Sequence, residues 1–322
     1  MTDHVADLVA RAREGQPRAV ARLISYVEDA SPVMREATAA LAPYAGHAHV
    51  VGITGAPGVG KSTTTSALVG AYRAQGLRVG VLAVDPSSPF SGGALLGDRV
   101  RMQEHATDPG VFIRSMASRG HLGGLSWATP QAVRVLDAAG VDVVIVETVG
   151  VGQSEVEVAA EADTTLVLVA PGMGDGVQAA KAGILEIGDV FVVNKADREG
   201  ADTTLRELRH MITLGTGPRA GSSDDPWSPP VVRAVASRGE GIDDVLAAVT
   251  EHRAWLERTG ELAARRRARA AGEIEAIAFA ALRRRIGDLH GDARLDALAA
   301  RVVAGELDPY AAADTLVEGL AG

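Results

Sequence analysis

Hydrophobic positions along the chain change their spacing near residue 49. Before that point, apolar side chains recur at helical spacing between three prolines, which predicts two or three short helices over residues 2–42. From His49 onward, apolar runs of strand length alternate with amphipathic stretches. Beyond Gly241 the spacing is helical throughout, so the chain is predicted to end in an all-helical segment.

The alternating region predicts the architecture. Its apolar runs predict strands at 50–54, 79–84, 111–115, 141–147, 164–170, 190–194 and 231–235. The amphipathic stretches between them predict helices at 61–74, 131–138, 178–186 and 202–214. Strands that are apolar throughout and alternate with helices are typical of a parallel sheet covered on both faces. We therefore predict an α/β fold with a mostly parallel, doubly wound sheet.

Composition excludes several classes of protein. The formal net charge of −9 and the pI near 5.4 argue against partners held by their phosphates, whether nucleic acid or membrane. The chain contains no cysteine, which removes disulfides and thiolate chemistry and fits the cytoplasm. Its apolar runs fall short of the roughly 20 residues of a membrane span, and the acidic N-terminus is unlike a signal peptide. These observations predict a soluble cytoplasmic protein.

Lysine is rare among the basic residues. Of 32 lysines and arginines only three are lysine, at Lys61, Lys181 and Lys195. Either a GC-rich genome left them at random, or these positions need a compact ammonium instead of a guanidinium. The motifs around the lysines decide between these explanations.

The first lysine belongs to a phosphate-binding loop. The segment GAPGVGKS matches the pattern G-x-x-x-x-G-K-[ST] and joins a predicted strand to a predicted helix, which is the context such loops require. Glycines let backbone N–H groups turn toward a β-phosphate, and the helix N-terminus adds partial positive charge. The Lys61 ammonium is expected to face solvent until it meets the β- and γ-phosphates, and the Ser62 hydroxyl to bind Mg²⁺. The predicted nucleotide-binding residues of this motif are Gly55, Ala56, Pro57, Gly58, Val59, Gly60, Lys61, Ser62 and Thr63.

The second lysine belongs to a base-reading motif, NKAD, at the end of the predicted strand 190–194. Asp197 can accept both the ring N–H and the exocyclic amine of guanine, and Asn194 is expected to hold the loop and meet N7. The aliphatic stem of Lys195 can cover the base. Adenine lacks that pair of donors, so the motif predicts GTP and GDP over ATP.

Three acidic residues are candidates for a metal site. Asp85, Asp98 and Glu147 lie at strand ends or in glycine-rich loops, on the side of the sheet expected to carry the phosphate loop. Mg²⁺ bound to a nucleotide takes oxygen ligands and keeps several waters. We predict that these carboxylates and Ser62 hold Mg²⁺, with the alternative that any single one is a solvated loop acid.

Three residues that follow Glu147 in the sequence are candidates for a role in hydrolysis. Gly150 can give its N–H to the γ-phosphate, and Gln153 is the nearest side chain able to orient an attacking water. Lys181 follows a glycine-rich loop and is predicted to pair with Glu147 or Asp175 in one nucleotide state only; the alternative is an unpaired lysine on a helix surface. Glu147, Gln153 and Lys181 are therefore assigned to catalysis together with the lysine of the phosphate loop.

The other polar clusters carry no predicted chemistry. The eight histidines are dispersed without metal-ligand spacing. The arginine runs at 265–267 and 283–285 are interpreted as solvated or inter-subunit helix faces. No chemistry is assigned to the three tryptophans.

Several motifs occur in one order along the chain: GAPGVGKST, AVDPSSP, LLGDRVRM, SMASRGHLGG, ETVGVGQSE, PGMGDGVQAAKAGILEIGDV and NKAD. Together they resemble the MeaB/ArgK-type GTPases, P-loop proteins of the same broad class as nickel-insertion and signal-recognition GTPases. The resemblance covers nearly the whole chain. In the family, the loop after the last strand of the sheet is expected to read Ser-Ala-x beside guanine O6. Here this loop, called the third base loop below because it follows the phosphate loop and the NKAD motif, reads Val235-Ala236-Ser237. The Ala236 N–H can still donate, but the bracing serine is absent.

The resemblance implies a function and partners. It implies a GTPase that acts as a chaperone of adenosylcobalamin-dependent methylmalonyl-CoA mutase or a related acyl-CoA mutase. The GTPase would gate delivery of intact cofactor from an adenosyltransferase and protect or reactivate the mutase. The expected organisation is an N-terminal helical extension (1–46), a P-loop GTPase domain (47–257) and a helical arm (258–322) that forms a homodimer. Apolar positions of the arm exceed what it could bury alone.

Two other functions compete with this one. An older label for the family describes an ATPase or kinase serving lysine/arginine/ornithine transport, but the guanine-reading motif opposes ATP. A nickel metallochaperone would require a store of histidines or cysteines, and this chain has no cysteine and only dispersed histidines.

Overall fold

The computed structural model describes residues 3–29, 31–86, 102–118, 128–148, 154–172, 184–215, 225–286 and 293–318. The chain divides into two compact units, residues 1–266 and residues 267–322. The first contains a seven-stranded sheet with its helices, and the described part of the second is helical. Within the ranges given above, no helix is both long enough and apolar enough to cross a membrane.

The strands form one sheet in the order β3-β2-β4-β1-β5-β6-β7, and every described pair is parallel. They are β1 (His49–Thr54), β2 (Val79–Pro86), β3 (Val111–Ser118), β4 (Val143–Thr148), β5 (Thr164–Val169), β6 (Val190–Val193) and β7 (Val231–Arg233). The predicted parallel α/β sheet is confirmed. Strand β1 lies in the middle, between β4 and β5, and the strand order reverses beside it. In such sheets ligands bind at the carboxyl ends of the strands where the order reverses.

Helices precede, connect and follow the strands. Before the sheet lie α1 (Asp3–Arg13), α2 (Pro17–Glu28) and α3 (Met34–Leu41). Between strands lie α4 (Lys61–Ala74), α5 (Ala128–Ala138), α6 (Ser154–Glu161), α7 (Ile184–Ile187) and α8 (Ala201–Gly215). After the sheet lie α9 (Ile242–Thr259), α10 (Glu261–Ile286), α11 (Ala293–Val303) and α12 (Pro309–Glu318). Most of the predicted helix 178–186 lies outside the described residues.

Two buried apolar layers cover the two faces of the sheet. Successive side chains of a strand point to opposite faces, and in β4 the residues Val144 and Val146 join one layer while Val143 and Ile145 join the other. The first layer is completed by helices α1, α2, α3 and α5, and the second by α4 and α9. Burial on both faces explains why most positions of the strands are apolar.

Two buried aspartates lie at the amino ends of β5 and β6. Asp163 accepts hydrogen bonds from Arg266 at 2.8 and 3.3 Å, and Asp189 accepts two from Arg265 at 3.0 Å. The interpretation of these arginines as a solvated or inter-subunit face is wrong, because buried carboxylates of the same chain need a counter-charge. The sheet unit accordingly extends into α10 and ends at Arg266, beyond the boundary expected at 257/258. The side chains of the second run, 283–285, lie outside the described residues.

Candidate nucleotide site

The loop of residues 55–60 leaves the carboxyl end of β1 and enters α4 at Lys61. Gly55 has φ of 139° and Gly60 has φ of 98°, in the region that residues with a side chain rarely adopt. A Cβ atom at Gly55 would lie 2.3 Å from the carbonyl oxygen of Leu168, and one at Gly60 would lie 2.4 Å from Nδ2 of Asn194. Both positions therefore require glycine, and they pack the loop against β5 and the base-reading motif.

The Lys61 ammonium is held by the phosphate loop itself. Nζ donates to the carbonyl oxygen of Gly55 at 2.6 Å and to that of Ala56 at 3.3 Å, and the residue is 7% exposed. The expectation that this lysine faces solvent is wrong, because a buried ammonium needs acceptors and the loop carbonyls provide them. Its charge is thus already placed beside the loop, where phosphate oxygens can replace the carbonyls as acceptors.

Glu147 connects β4 to the start of α4. It lies beside Ile53 of β1 in the sheet register and is 1% exposed. Its Oε1 accepts a hydrogen bond from Ser62 Oγ at 2.6 Å, and its Oε2 accepts one from Thr65 Oγ1 at 2.8 Å. A buried carboxylate beside a hydroxyl at a helix N-terminus is an oxygen donor set of the kind Mg²⁺ takes, so these residues fit the predicted metal. Sequence reasoning missed Thr65, although it lies one helical turn beyond Ser62.

Asn194 joins three loops of the site. Its Nδ2 donates to the carbonyl oxygen of Val59 at 2.8 Å, and its Oδ1 accepts the N–H of Ala236 at 3.1 Å. Lys195, with φ of 56°, donates from Nζ to the carbonyl oxygen of Gly58 at 2.6 Å. The phosphate loop, the base-reading motif and the third base loop therefore form one hydrogen-bonded group. Asn194 braces the third loop, whose sequence lacks the expected serine.

Asp197, the carboxylate predicted to read the base, has a cationic neighbour that sequence reasoning missed. Arg238, in the short helical turn Ala236–Arg238, has Nη2 at 3.2 Å from Oδ2 of Asp197. In the same loop Val235 is buried and Ser237 is exposed. The only sequence signal for Arg238 is its position two residues after the predicted Ala236 donor.

Several predicted residues cannot be placed in this geometry. Asp98, Gly150, Gln153 and Lys181 lie outside the described residues, as does Asp175. Asp85 belongs to β2, which runs beside β4, so its backbone lies at the same edge as Glu147, but its side chain lies outside the description. The remaining phosphate-loop predictions lie where expected: Pro57 in the loop and Thr63, exposed, in the first turn of α4.

A second polar cluster lies at the opposite, amino edge of the sheet. His49 Nε2 is 2.9 Å from Thr164 Oγ1, which is 2.8 Å from His252 Nδ1. Trp227 and Trp255 pack against the His252 ring. Burial lowers the pKa of His49 to about 3, although the charge of nearby Asp163 acts in the opposite direction. Both histidines are almost fully buried, so this cluster stabilises the fold and has no access to a substrate.

The family model described as methylmalonyl-CoA mutase-associated GTPase MeaB matches residues 20–289 of the chain. The chain belongs to this family. A Pyrococcus abyssi relative is 47% identical over 322 residues, which is 99% of this chain and 97% of the relative. The mouse protein named methylmalonic aciduria type A homolog, mitochondrial, is 39% identical over 216 residues, 67% of this chain and 52% of that protein. A solved structure described as an LAO/AO transport system kinase has a TM-score of 0.73 at 27% identity and covers 100% of this chain and 99% of its own.

Membership of the MeaB family confirms the resemblance inferred from the motifs and makes this chain a P-loop GTPase. The enzyme class agrees with the geometry of the carboxyl edge, where the phosphate loop, the carboxylate of Glu147 and the base-reading motif are in contact. A GTPase of this family binds guanine nucleotides, and Asp197 lies in the motif that the sequence predicts to select guanine.

Proposed function

We propose that this MeaB-family GTPase uses Mg²⁺ and acts as a chaperone for an adenosylcobalamin-dependent acyl-CoA mutase, with methylmalonyl-CoA mutase as the first client to test. The nucleotide part is carried by one observation, the Asn194 side chain that joins the phosphate loop to the loop of Ala236. The client part is supported by the family description and by the name of the mouse relative.

Each residue of the carboxyl edge takes one role in the proposed reaction. The N–H groups of the phosphate loop and the Lys61 ammonium bind the β- and γ-phosphates, and Asp197 accepts the two donors of guanine. Ser62 and Glu147 would hold Mg²⁺, together with the two acids proposed from the sequence, Asp85 and Asp98. When bound, Mg²⁺ neutralises phosphate charge and favours attack at the γ-phosphate.

Three residues outside the description complete the proposal. Gln153 would orient the attacking water, and the Gly150 N–H would bind the γ-phosphate. Lys181 would pair with Glu147 or Asp175 in one nucleotide state only. These roles link hydrolysis to a change of conformation that a client can sense.

The helical unit supports a proposal of homodimerisation through the arm, residues 258–322. Four large apolar side chains of α10 are between 44% and 68% exposed: Ile274, Ile277, Phe279 and Leu282. Two further predicted contacts are Leu262, which is half-buried, and Ile286, whose side chain lies outside the description. Apolar side chains clustered in this way mark interaction surfaces, and a second copy of the arm would bury them.

In the proposed cycle the nucleotide state gates delivery of intact cofactor from an adenosyltransferase to the mutase. The same GTPase would protect or reactivate the mutase between turnovers. A cofactor-free mutase and a cofactor-loaded mutase would therefore stimulate hydrolysis to different extents.

The alternative function is that of an ATPase or kinase in lysine/arginine/ornithine transport. It is favoured by one observation, the description of the solved structure with a TM-score of 0.73. The two functions differ in the base they require, because a transport ATPase or kinase would use adenine.

Two measurements test the proposal. Calorimetric titration with GTP and ATP in the presence of Mg²⁺ is expected to show strong preference for GTP. Asp197→Asn should weaken GTP binding by roughly 2–4 kcal/mol, because it removes a charge-assisted acceptor of two hydrogen bonds. Affinities for ATP and GTP within about threefold of each other would make the guanine assignment wrong.

The client is tested by hydrolysis assays with purified methylmalonyl-CoA mutase, cofactor-free and cofactor-loaded. Faster GTP turnover with the mutase and co-elution of the two proteins are expected. Unchanged turnover and separate elution, with GTP binding intact, would overturn the client and leave the GTPase assignment standing.

A further inference from the structure

Arg238 lies between two carboxylates of the third base loop and the base-reading motif. Its Nη2 is 3.2 Å from Oδ2 of Asp197, and its Nη1 is 3.8 Å from Oε1 of Glu240. The Arg238 side chain is 59% exposed, so it can turn toward either partner. The backbone is fixed meanwhile, because the N–H of Val235 donates to the carbonyl oxygen of Glu240 at 2.9 Å.

The contact with Asp197 conflicts with guanine binding. Guanine presents two donors, its N1–H and its N2 amine, and a carboxylate that reads both uses both of its oxygens. In this structure Arg238 lies against one of those oxygens, Oδ2. A bound guanine therefore competes with Arg238 for this oxygen.

We propose that Arg238 is an exchangeable counter-ion of Asp197. Before a base binds, the guanidinium compensates the charge of Asp197. When guanine arrives, Arg238 gives up Oδ2 and moves to Glu240, which already lies nearby. This inference rests on the proposed role of Asp197 in reading guanine, and it makes Arg238 a residue that sets affinity and purine selectivity through Asp197.

Hypoxanthine separates this exchange from a merely structural role. It carries the N1–H of guanine but lacks the N2 amine, so it needs one carboxylate oxygen and leaves the other to Arg238. The contact between Arg238 and Asp197 is then present both before and after inosine diphosphate binds. Its energy therefore does not contribute to the free energy of binding this nucleotide. With GDP the contact is lost, and its energy opposes binding.

Calorimetric titration of the full-length protein with GDP and with inosine diphosphate tests the proposal. Arg238→Ala is expected to tighten GDP binding about threefold, which corresponds to the free energy of an exposed ion pair. The same substitution is expected to leave the affinity for inosine diphosphate unchanged. Glu240→Gln, which removes the receiving carboxylate, is expected to weaken GDP binding about twofold and again to leave inosine diphosphate unchanged. Both effects should shrink as salt is added, because exposed charges are screened.

The matched control is Arg11→Ala, which breaks an exposed ion pair with Asp7 on α1 and should change neither affinity. Equal weakening of both nucleotides by Arg238→Ala would show that this arginine only braces the loop, and would overturn the inference. Unchanged GDP affinity in that variant would overturn it as well. Absence of GDP binding by the unsubstituted protein would instead overturn the proposed function.

Discussion

Replacing Arg266 by alanine tests the ion pairs at the amino edge of the sheet. Arg266 donates to the carboxylate of Asp163 at 2.8 Å and to the carbonyl oxygen of Ala48 at 2.8 Å. Asp163 has no exposed surface, and its Oδ2 also accepts the N–H of Val50 at 3.1 Å. The substitution therefore takes a guanidinium away from a buried carboxylate that also holds β1 beside β5.

The magnitude follows from burial. Removing one partner of a buried ion pair costs about 3–5 kcal/mol, and the lost bond to Ala48 adds about 1 kcal/mol. The Arg266 side chain is 27% exposed, so water that enters its place recovers part of this energy. We expect Arg266→Ala to lower the free energy of unfolding by about 2–4 kcal/mol, a large share of the roughly 5–15 kcal/mol available to a domain.

Urea unfolding followed by circular dichroism measures this loss. The matched control is Arg267→Ala, one residue along α10, where the side chain is exposed and a change within about 0.5 kcal/mol is expected. Adding Asp163→Asn to Arg266→Ala removes the stranded charge and should recover part of the stability in a double-mutant cycle. Equal losses in the Arg266 and Arg267 variants would refute the reasoning, since both would then be solvated surface residues.

Lys61→Ala is expected to abolish GTP hydrolysis with an unchanged circular dichroism spectrum, and turnover near the wild-type rate would contradict the phosphate-loop assignment. His49 has a pKa of about 3 in the folded protein and 6.5 as its ordinary value, so between these values the unfolded chain binds more protons than the folded one. Its contribution to stability is therefore complete above pH 6.5 and is lost as the pH falls, by up to about 1.4 kcal/mol per pH unit. His49→Gln should flatten the dependence of urea stability on pH in that window, and an equally steep dependence would count against the assignment. Deleting residues 267–322 should give a nucleotide-binding monomer that keeps Arg265 and Arg266; a full-length protein that sediments as a monomer at micromolar concentration would exclude the proposed dimer.

Contiguous motifs account for what could be predicted from the sequence. The helix predicted at 61–74 has those bounds in the structure, and the predicted strands overlap the observed ones. Apolar runs separated by amphipathic stretches allow few arrangements other than a parallel sheet. The phosphate loop acts through neighbouring backbone N–H groups and the NKAD motif through a few adjacent side chains, so both are recognisable over a short stretch of chain.

Features that depend on burial and on contacts between distant parts of the chain could be determined only from the tertiary structure. Arg266 meets Asp163 across 103 positions of the chain, and Thr65 meets Glu147 across 82. Helical spacing places an arginine on a face of a helix but does not reveal whether water or a buried carboxylate covers that face. The same holds for Arg238, whose neighbour Asp197 is set by the packing of two loops. The sequence shows which side chains are charged. The free energy that each charge contributes depends on its burial and on its partners, and only the folded chain determines these.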